Sequence, residues 1–202
     1  SKNCWSHQSK IKLLLENENI RLRAVEPEDL ELLYRWENNP ELWMVGNARN
    51  PYSRYMLKQY ILDSEKDIYE NRQLRLMITI KSSNETIGTV DLFDFDIHNS
   101  RIALGLFIEQ KFQRNGFARE ALHLVEEYVF EFLKINQLYV QIAEENIPSM
   151  RMFEEENFEK NGMLKNWIKT ANDFQNIIVF QQFKNVYNKT KMKWCDRFVL
   201  TE

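Results

Sequence analysis

Ile102-Ala103-Leu104-Gly105-Leu106-Phe107-Ile108, followed by Gln113-Arg114-Asn115-Gly116-Phe117-Ala118, reads as a strand running into a tight turn. The first run is apolar enough to be covered on both faces, which predicts the central strand of a sheet. Beyond the turn, Ala118, Ala121, Leu122, Val125, Val129 and Leu133 fall on one stripe with charges opposite, predicting an amphipathic core helix over 116–134. A strand, a turn and a helix in this order make an anion site, because unpaired first-turn amides point outward and the helix dipole adds positive potential there. Gly116 and Ala118 are small where an anion would approach the backbone, and Lys111, Arg114 and Arg119 add positive charge. Small residues at a helix start also serve plain packing. The stretch has neither the Gly-x-Gly-x-x-Gly of dinucleotide loops nor the Gly-Lys-Ser/Thr ending of nucleoside triphosphate loops.

Working outward, Ile20 to Ala24 alternates as a half-buried strand does, and Glu26-Pro27-Glu28-Asp29 opens a helix carrying Leu30, Leu33 and Trp36. A second helix is predicted over about 52–69 and a hairpin from 73–81 and 86–96, turning at Ser82-Ser83-Asn84-Glu85. After the long helix come a strand at 138–143, a short helix at 147–156 and a closing hairpin suggested by Ile168 and 177–183. A strand meander followed by alternation with helices gives a mixed α/β sheet with helices on both faces.

The 202 residues allow one compact domain, and with only 5 glycines and 4 prolines the chain is no low-complexity or disordered sequence. No apolar run reaches membrane-span length, and Lys10 and Lys12 interrupt the leader-like Leu13-Leu14-Leu15, so neither membrane insertion nor secretion is expected. Cys4 and Cys195 make no disulfide framework and His7, His98 and His123 match no zinc spacing, so no metal is expected and a reducing cytoplasmic setting fits. The net charge of −3 is uneven: both ends, 1–12 and the tail 184–202, are basic, and the body is acidic. That body speaks against a nucleic-acid partner and for a cationic substrate, although charge also serves solubility.

The segment Gln113-x-x-Gly116-x-Ala118 after a strand and before a helix resembles the acetyl-CoA pyrophosphate loop of the GNAT N-acetyltransferases. Glu145-Asn146-Ile147-Pro148-Ser149 through Phe153 to Asn157-Phe158 is similar to that family's Asn-x-x-Ser…Tyr-x-x-x-Gly-Phe segment, at the family's spacing from the loop. The likeness extends over about 20–183, nearest the spermidine/diamine and ribosomal-protein-alanine branches, leaving 1–19 as an N-terminal extension and 184–202 as a basic tail. It implies a mostly antiparallel sheet of about six to seven strands, with the central strand splayed from the next and pantetheine lying in the gap. By position, Phe107, Ile108 and Glu109 would offer backbone groups to that arm, Gln113, Arg114, Asn115, Gly116, Phe117, Ala118 and Arg119 would hold the diphosphate, and Asn146, Ser149 and Phe153 would complete the acetyl-CoA site.

The implied chemistry is attack of a neutral amine on the acetyl carbonyl, which needs a base, a carbonyl-polarising donor and a partner for the thiolate. Many relatives use a Tyr where this chain has Phe153, so Ser149, one turn earlier, becomes the candidate thiolate partner. The usual Glu of the central strand is replaced by Ala103. Three aspartates crowd the preceding strand, and a period of two would put Asp94 and Asp96 on one face and Asp91 on the other. Asp94 is the candidate base, with Asp96, Glu37 and Glu41 as further amine anchors; a solvent-facing edge is the alternative for the strand, and a solvated helix end for Glu37 and Glu41. The expected substrate is a small polycationic amine such as a polyamine. Acetylation of a protein or peptide N-terminus and a catalytically idle acyl-CoA-binding module are the competing readings, and self-association stays open.

Overall fold

A computed structural model describes residues 14–40, 50–64 and 66–199, with side chains of the last helix described as far as Lys191. In chain order it contains β1 (Ile20–Ala24), a 3-10 turn (Pro27–Asp29) leading into α1 (Leu30–Glu37), α2 (Arg54–Asp63), α3 (Ile68–Asn71), β2 (Leu74–Ile80), β3 (Thr86–Asp96) and β4 (Arg101–Ile108). There follow α4 (Phe117–Glu127), prolonged by a π-helical turn (Tyr128–Phe132), β5 (Gln137–Ala143), α5 (Ile147–Glu155), β6 (Glu159–Lys169), β7 (Phe174–Phe183) and α6 (Lys184–Val199). The strands form one seven-stranded sheet in the order β1-β2-β3-β4-β5-β7-β6, and β4 is central as its apolar run predicts. Every neighbouring pair is antiparallel except β4 with β5.

Directly paired residues share a sheet face, so the register sorts the side chains. Leu76, Val90, Leu92, Ile102, Leu104, Leu138 and Val140 point to the side packed by α4, where Leu122, Val125 and Phe130 complete the larger core. Met77 points to the other side and packs with Leu33, Trp36, Leu57 and Ile61 of α1 and α2. Helices therefore cover both faces, but α1 and α2 reach only across the β1–β4 part of theirs. At the start of α1, Arg23 holds the buried Asp29 through two hydrogen bonds of 2.7 and 2.8 Å, and Asp29 accepts from the Glu26 amide at 2.9 Å. That tie fixes where the helix leaves the sheet.

Two elements differ from the sequence expectation. The single helix expected over 52–69 is two: α2 closes at Ser64, whose hydroxyl donates to the Ile61 carbonyl at 2.6 Å, and α3 restarts at Asp67, which accepts from the Tyr69 and Glu70 amides. The closing hairpin begins at Glu159, because β6 is an edge strand exposed along most of its length and has no apolar alternation to betray it. At the N-terminal side Leu22 N–H donates to the Leu15 carbonyl and Asn17 reaches Glu120 of α4 at 2.8 Å. At the other end, the Tyr187 ring of α6 lies 5.0 Å from that of Phe130, and its hydroxyl donates to Glu131.

Candidate active site

The parallel ladder between β4 and β5 has three pairs, Arg101 with Gln137, Ile102 with Leu138 and Ala103 with Tyr139, and then stops. From Leu104 to Ile108 the β5-facing edge of β4 has no strand beside it, leaving an open edge about 13 Å long at the usual rise per residue. Glu109 N–H donates to the Ile87 carbonyl, so the backbone groups of Phe107 and Glu109 turn towards β3. By strand alternation Leu106 and Ile108 turn theirs to the gap, which corrects the expected trio of Phe107, Ile108 and Glu109. Phe107 O lies so close to Gly88 that a Cβ there would come within 2.0 Å of it. Ile108 O accepts from Gln113 Nε2 at 2.9 Å, which ties the loop to the mouth of the gap.

The loop is bent by two left-handed residues, Arg114 (φ 64°) and Gly116 (φ 82°), the latter capping α4. Asn115 braces it by donating to the Phe112 and Gln113 carbonyls, both at 3.1 Å. Among the described residues no atom lies within 4 Å of where a Gly116 Cβ would stand, so space is kept open in front of the first-turn amides. Phe117 and Ala118 pack against the core. Of the expected loop cations, Lys111 is paired with Glu85, and Arg119 is held by Glu155 and Glu156. Arg119 thus clamps α4 to the end of α5, whereas Arg114 is exposed and has no ion-pair partner among the described residues.

Across the gap Asn146 caps α5, its Oδ1 accepting from the Ser149 amide at 3.3 Å, so its Nδ2 is the group left to donate elsewhere. Ser149 and Met150 are half-buried in the first turn. Phe153 is core, 4% exposed with its ring edge-on to Phe158 at 5.0 Å.

The aspartates depart from the simple alternation. Asp91 pairs with Gly105, Phe93 with Ala103 and Asp96 with Arg101, so three residues of β3 span the distance that two of β4 span. This bulge, with Asp94 at φ 49°, shifts the phase of the strand and brings Asp91, Phe93 and Asp96 to the face of Ala103, the one covered in part by α1 and α2. Asp91 is therefore not opposite the others. It binds Arg75, which also meets Glu37 and is 19% exposed; burial works against that guanidinium's charge, but Asp91, Tyr60 and Glu37 hold its pKa up. Asp96 accepts from both Asn99 nitrogens and pairs with Arg101 at 3.1 Å, interactions that hold its carboxyl below its usual range. Glu37, Asp91 and Asp96 are thus committed to arginines, and Glu41 lies outside the described residues. Asp94 is exposed and has no ion-pair partner among the described residues.

Asp94 instead lies against Tyr139, a residue the sequence reading passed over although its alternation with Leu138 and Val140 already puts it on the opposite face from the core. Burial first, and then the Asp94 carboxylate, push the Tyr139 hydroxyl above its ordinary pKa. Asp94, Asp96, Arg101 and Tyr139, with Arg72 and His98, line a cavity of about 850 Å³ beside the last β4–β5 pair.

A mostly antiparallel sheet with one parallel pair splayed open, a glycine-capped helix at the mouth and a second capped helix across the gap define an acyl-CoA-dependent transferase. Residues 19–159 match the acetyltransferase (GNAT) domain model, and the chain belongs to that family. It is an acyltransferase with acetyl-CoA as co-substrate, and the open edge and uncluttered loop fit that molecule. Among similar proteins are the uncharacterized N-acetyltransferase p20 of Bacillus licheniformis, 26% identical over 86% of this chain and 97% of its own, and spermidine N(1)-acetyltransferase of Vibrio cholerae, 26% identical over 73% and 83%. The crystal structure of spermidine N-acetyltransferase from Vibrio cholerae in complex with CoA and spermine has a TM-score of 0.74 at 23% identity, covering 84% of this chain and 98% of that one, a likeness of fold. No helix among the described residues is long and apolar enough to cross a membrane.

Proposed function

We propose that the protein acetylates a primary amine of a small polycation of the polyamine class. The observation that carries this reading is Asp94: an exposed carboxylate with no ion-pair partner among the described residues, on the acceptor-facing side of the sheet, beside the vertex where β4 and β5 part. An ammonium group drawn there stands next to the place where an acyl group in the gap would end. The acidic body and the similarity to spermidine acetyltransferases point the same way.

In this reading acetyl-CoA supplies the thioester, and the chain supplies its positioning and the proton chemistry. First-turn amides at Gly116 to Ala118, together with Arg114, receive the diphosphate. Leu106, Ile108 and the Asn146 amide hold the extended arm in the manner of an added strand. Ser149 donates to the departing thiolate. A protonated amine must lose a proton before it can attack, and a nearby carboxylate both attracts the cation and opens a route for that proton. Trp167 and Phe174, 60% and 53% exposed on the closing hairpin, leave room for self-association, read by light scattering.

The test is release of free thiol from acetyl-CoA with spermidine, spermine, a diamine, a monoamine and a peptide bearing a free N-terminus. Polyamines should be the best acceptors by at least about 10-fold in kcat/KM, the scale of one well-placed charged contact. Turnover with the peptide alone would overturn the substrate assignment while leaving the acetyltransferase intact.

A further inference from the structure

We infer that Tyr139 is the proton-accepting residue of the acetyl transfer, relaying the ammonium proton to Asp94. This rests on the proposed amine reading and deepens it by naming the atoms that handle the proton.

Ala103 and Tyr139 form the last pair of the parallel ladder, so their side chains leave the sheet together at the point where the gap begins. Ala103 ends at its methyl group and leaves this spot without a carboxylate of its own. Tyr139, its neighbour on β5, is the long polar side chain there, half-buried and lining one cavity with Asp94 of β3. It meets Asp94, which can lie on this face because the bulge turns the strand at a left-handed Asp. Bulges of this kind re-aim single side chains, and Asp is among the few residues that adopt this conformation at low cost. Both side chains line the same cavity, open to an incoming amine.

The proton balance follows from the pairing. In the relay the Tyr139 O–H gives its proton to the Asp94 carboxylate across the cavity that both side chains line, and the phenolic lone pairs are the acceptors left for the amine. An ammonium N–H bound there gives its proton to the Tyr139 oxygen while the tyrosine's own proton passes to Asp94. Tyr139 ends neutral, Asp94 ends as a carboxylic acid, and the amine is left with the lone pair that forms the new C–N bond. Asp94 is exposed and returns the proton to solvent. The other charged groups facing this pair are Asp96 and Arg101, already paired with each other, and Arg72 and His98 on the cavity wall. Of these cavity-lining groups, Tyr139 is the one in the last β4–β5 pair. Tyr139 touches the amine and is catalytic; Asp94 acts through it.

The experiment compares the parent, Tyr139→Phe, Asp94→Asn and the double variant, using acetyl-CoA and spermidine from pH 6 to 10. Asn tolerates the left-handed backbone at position 94, so its fold is expected to survive, and calorimetric binding of acetyl-CoA with unchanged affinity certifies the fold of each variant. Tyr139→Phe should lower kcat/KM by about 10- to 100-fold at pH 7, with the deficit shrinking towards pH 10 as the amine arrives already neutral. Asp94→Asn should show the same recovery, and the double variant should be no slower than Tyr139→Phe, since both remove one relay. A Tyr139→Phe enzyme with the parental pH profile, or losses that multiply in the double variant, would overturn the relay. Were the parent itself to acetylate no amine while still binding acetyl-CoA, the failure would instead be that of the amine reading.

Discussion

At the scale of single residues, the site depends on one backbone conformation and one hydroxyl. Gly116 sits at φ 82°, where a side chain is strained whatever space surrounds it, and that space lies in front of the α4 amides. Gly116→Val combines strain with a branched group in the diphosphate position; affinity for acetyl-CoA should fall at least about 10-fold by calorimetry, and the melting temperature should drop by a few degrees, as for about 1 kcal/mol of backbone cost. Parental affinity would move the diphosphate away from this loop. Ser149 presents a different expectation, because its amide belongs to the cap while its hydroxyl is free to serve the thiolate. Ser149→Ala should leave the cap and acetyl-CoA affinity intact and slow turnover by about 10- to 100-fold. A variant as fast as the parent would assign thiolate stabilisation to water.

At the scale of elements, what the sequence made legible was what repeats. The apolar run of β4, the stripe of α4 and the small-residue loop between them are local patterns, and each of these elements stands where its pattern puts it. The splay between β4 and β5 follows from where the ladder stops, a matter of three pairs that no periodicity records. The bulge at Phe93 to Asp96 was hidden for a related reason: a strict period of two places Asp91 opposite Asp94, and one extra residue reverses the phase beyond it. Charge pairing and burial were hidden as well: Arg119 clamps α4 to α5, and Phe153 is packed into the core. Tyr139 could have been found, since a tyrosine alternating with Leu138, Val140 and Ile142 must lie on the side away from the main core.

At the scale of the whole molecule, the α4 side of the sheet carries buried ionisable groups that make stability depend on pH. Glu126 is 5% exposed, and burial pushes its carboxyl from 4.5 up to about 7 despite His123 and Gln182 nearby. Among the described residues its Oε1 and the Oε1 of Gln182 both lack hydrogen-bond partners, while Gln182 Nε2 is committed to the Glu156 carbonyl. A protonated Glu126 supplies the donor that this pair of acceptors needs. Between pH 4.5 and about 7 the folded chain therefore holds a proton that the unfolded chain has released, and stability falls as pH rises through that window. His123 adds to the trend: its bond to Glu156 raises its pKa, so that contribution is present below pH 6.5 and is lost as pH climbs through the folded value. Glu156 acts in the opposite direction at the acid end, because His123 and Arg119 outweigh burial and lower its pKa, a contribution lost as pH falls below its ordinary 4.5. Maximal stability is thus expected near pH 4.5 to 5. Glu126→Gln removes the ionisable group and puts an amide donor beside Gln182, so it should match the parent near pH 5 and melt higher at pH 8, by about 3 to 8 °C for about 1 to 3 kcal/mol of relieved burial. Thermal melts of both proteins from pH 5 to 8 decide it: parallel curves would mean that Glu126 stays ionised in the folded protein and that water, not a carboxyl proton, satisfies Gln182.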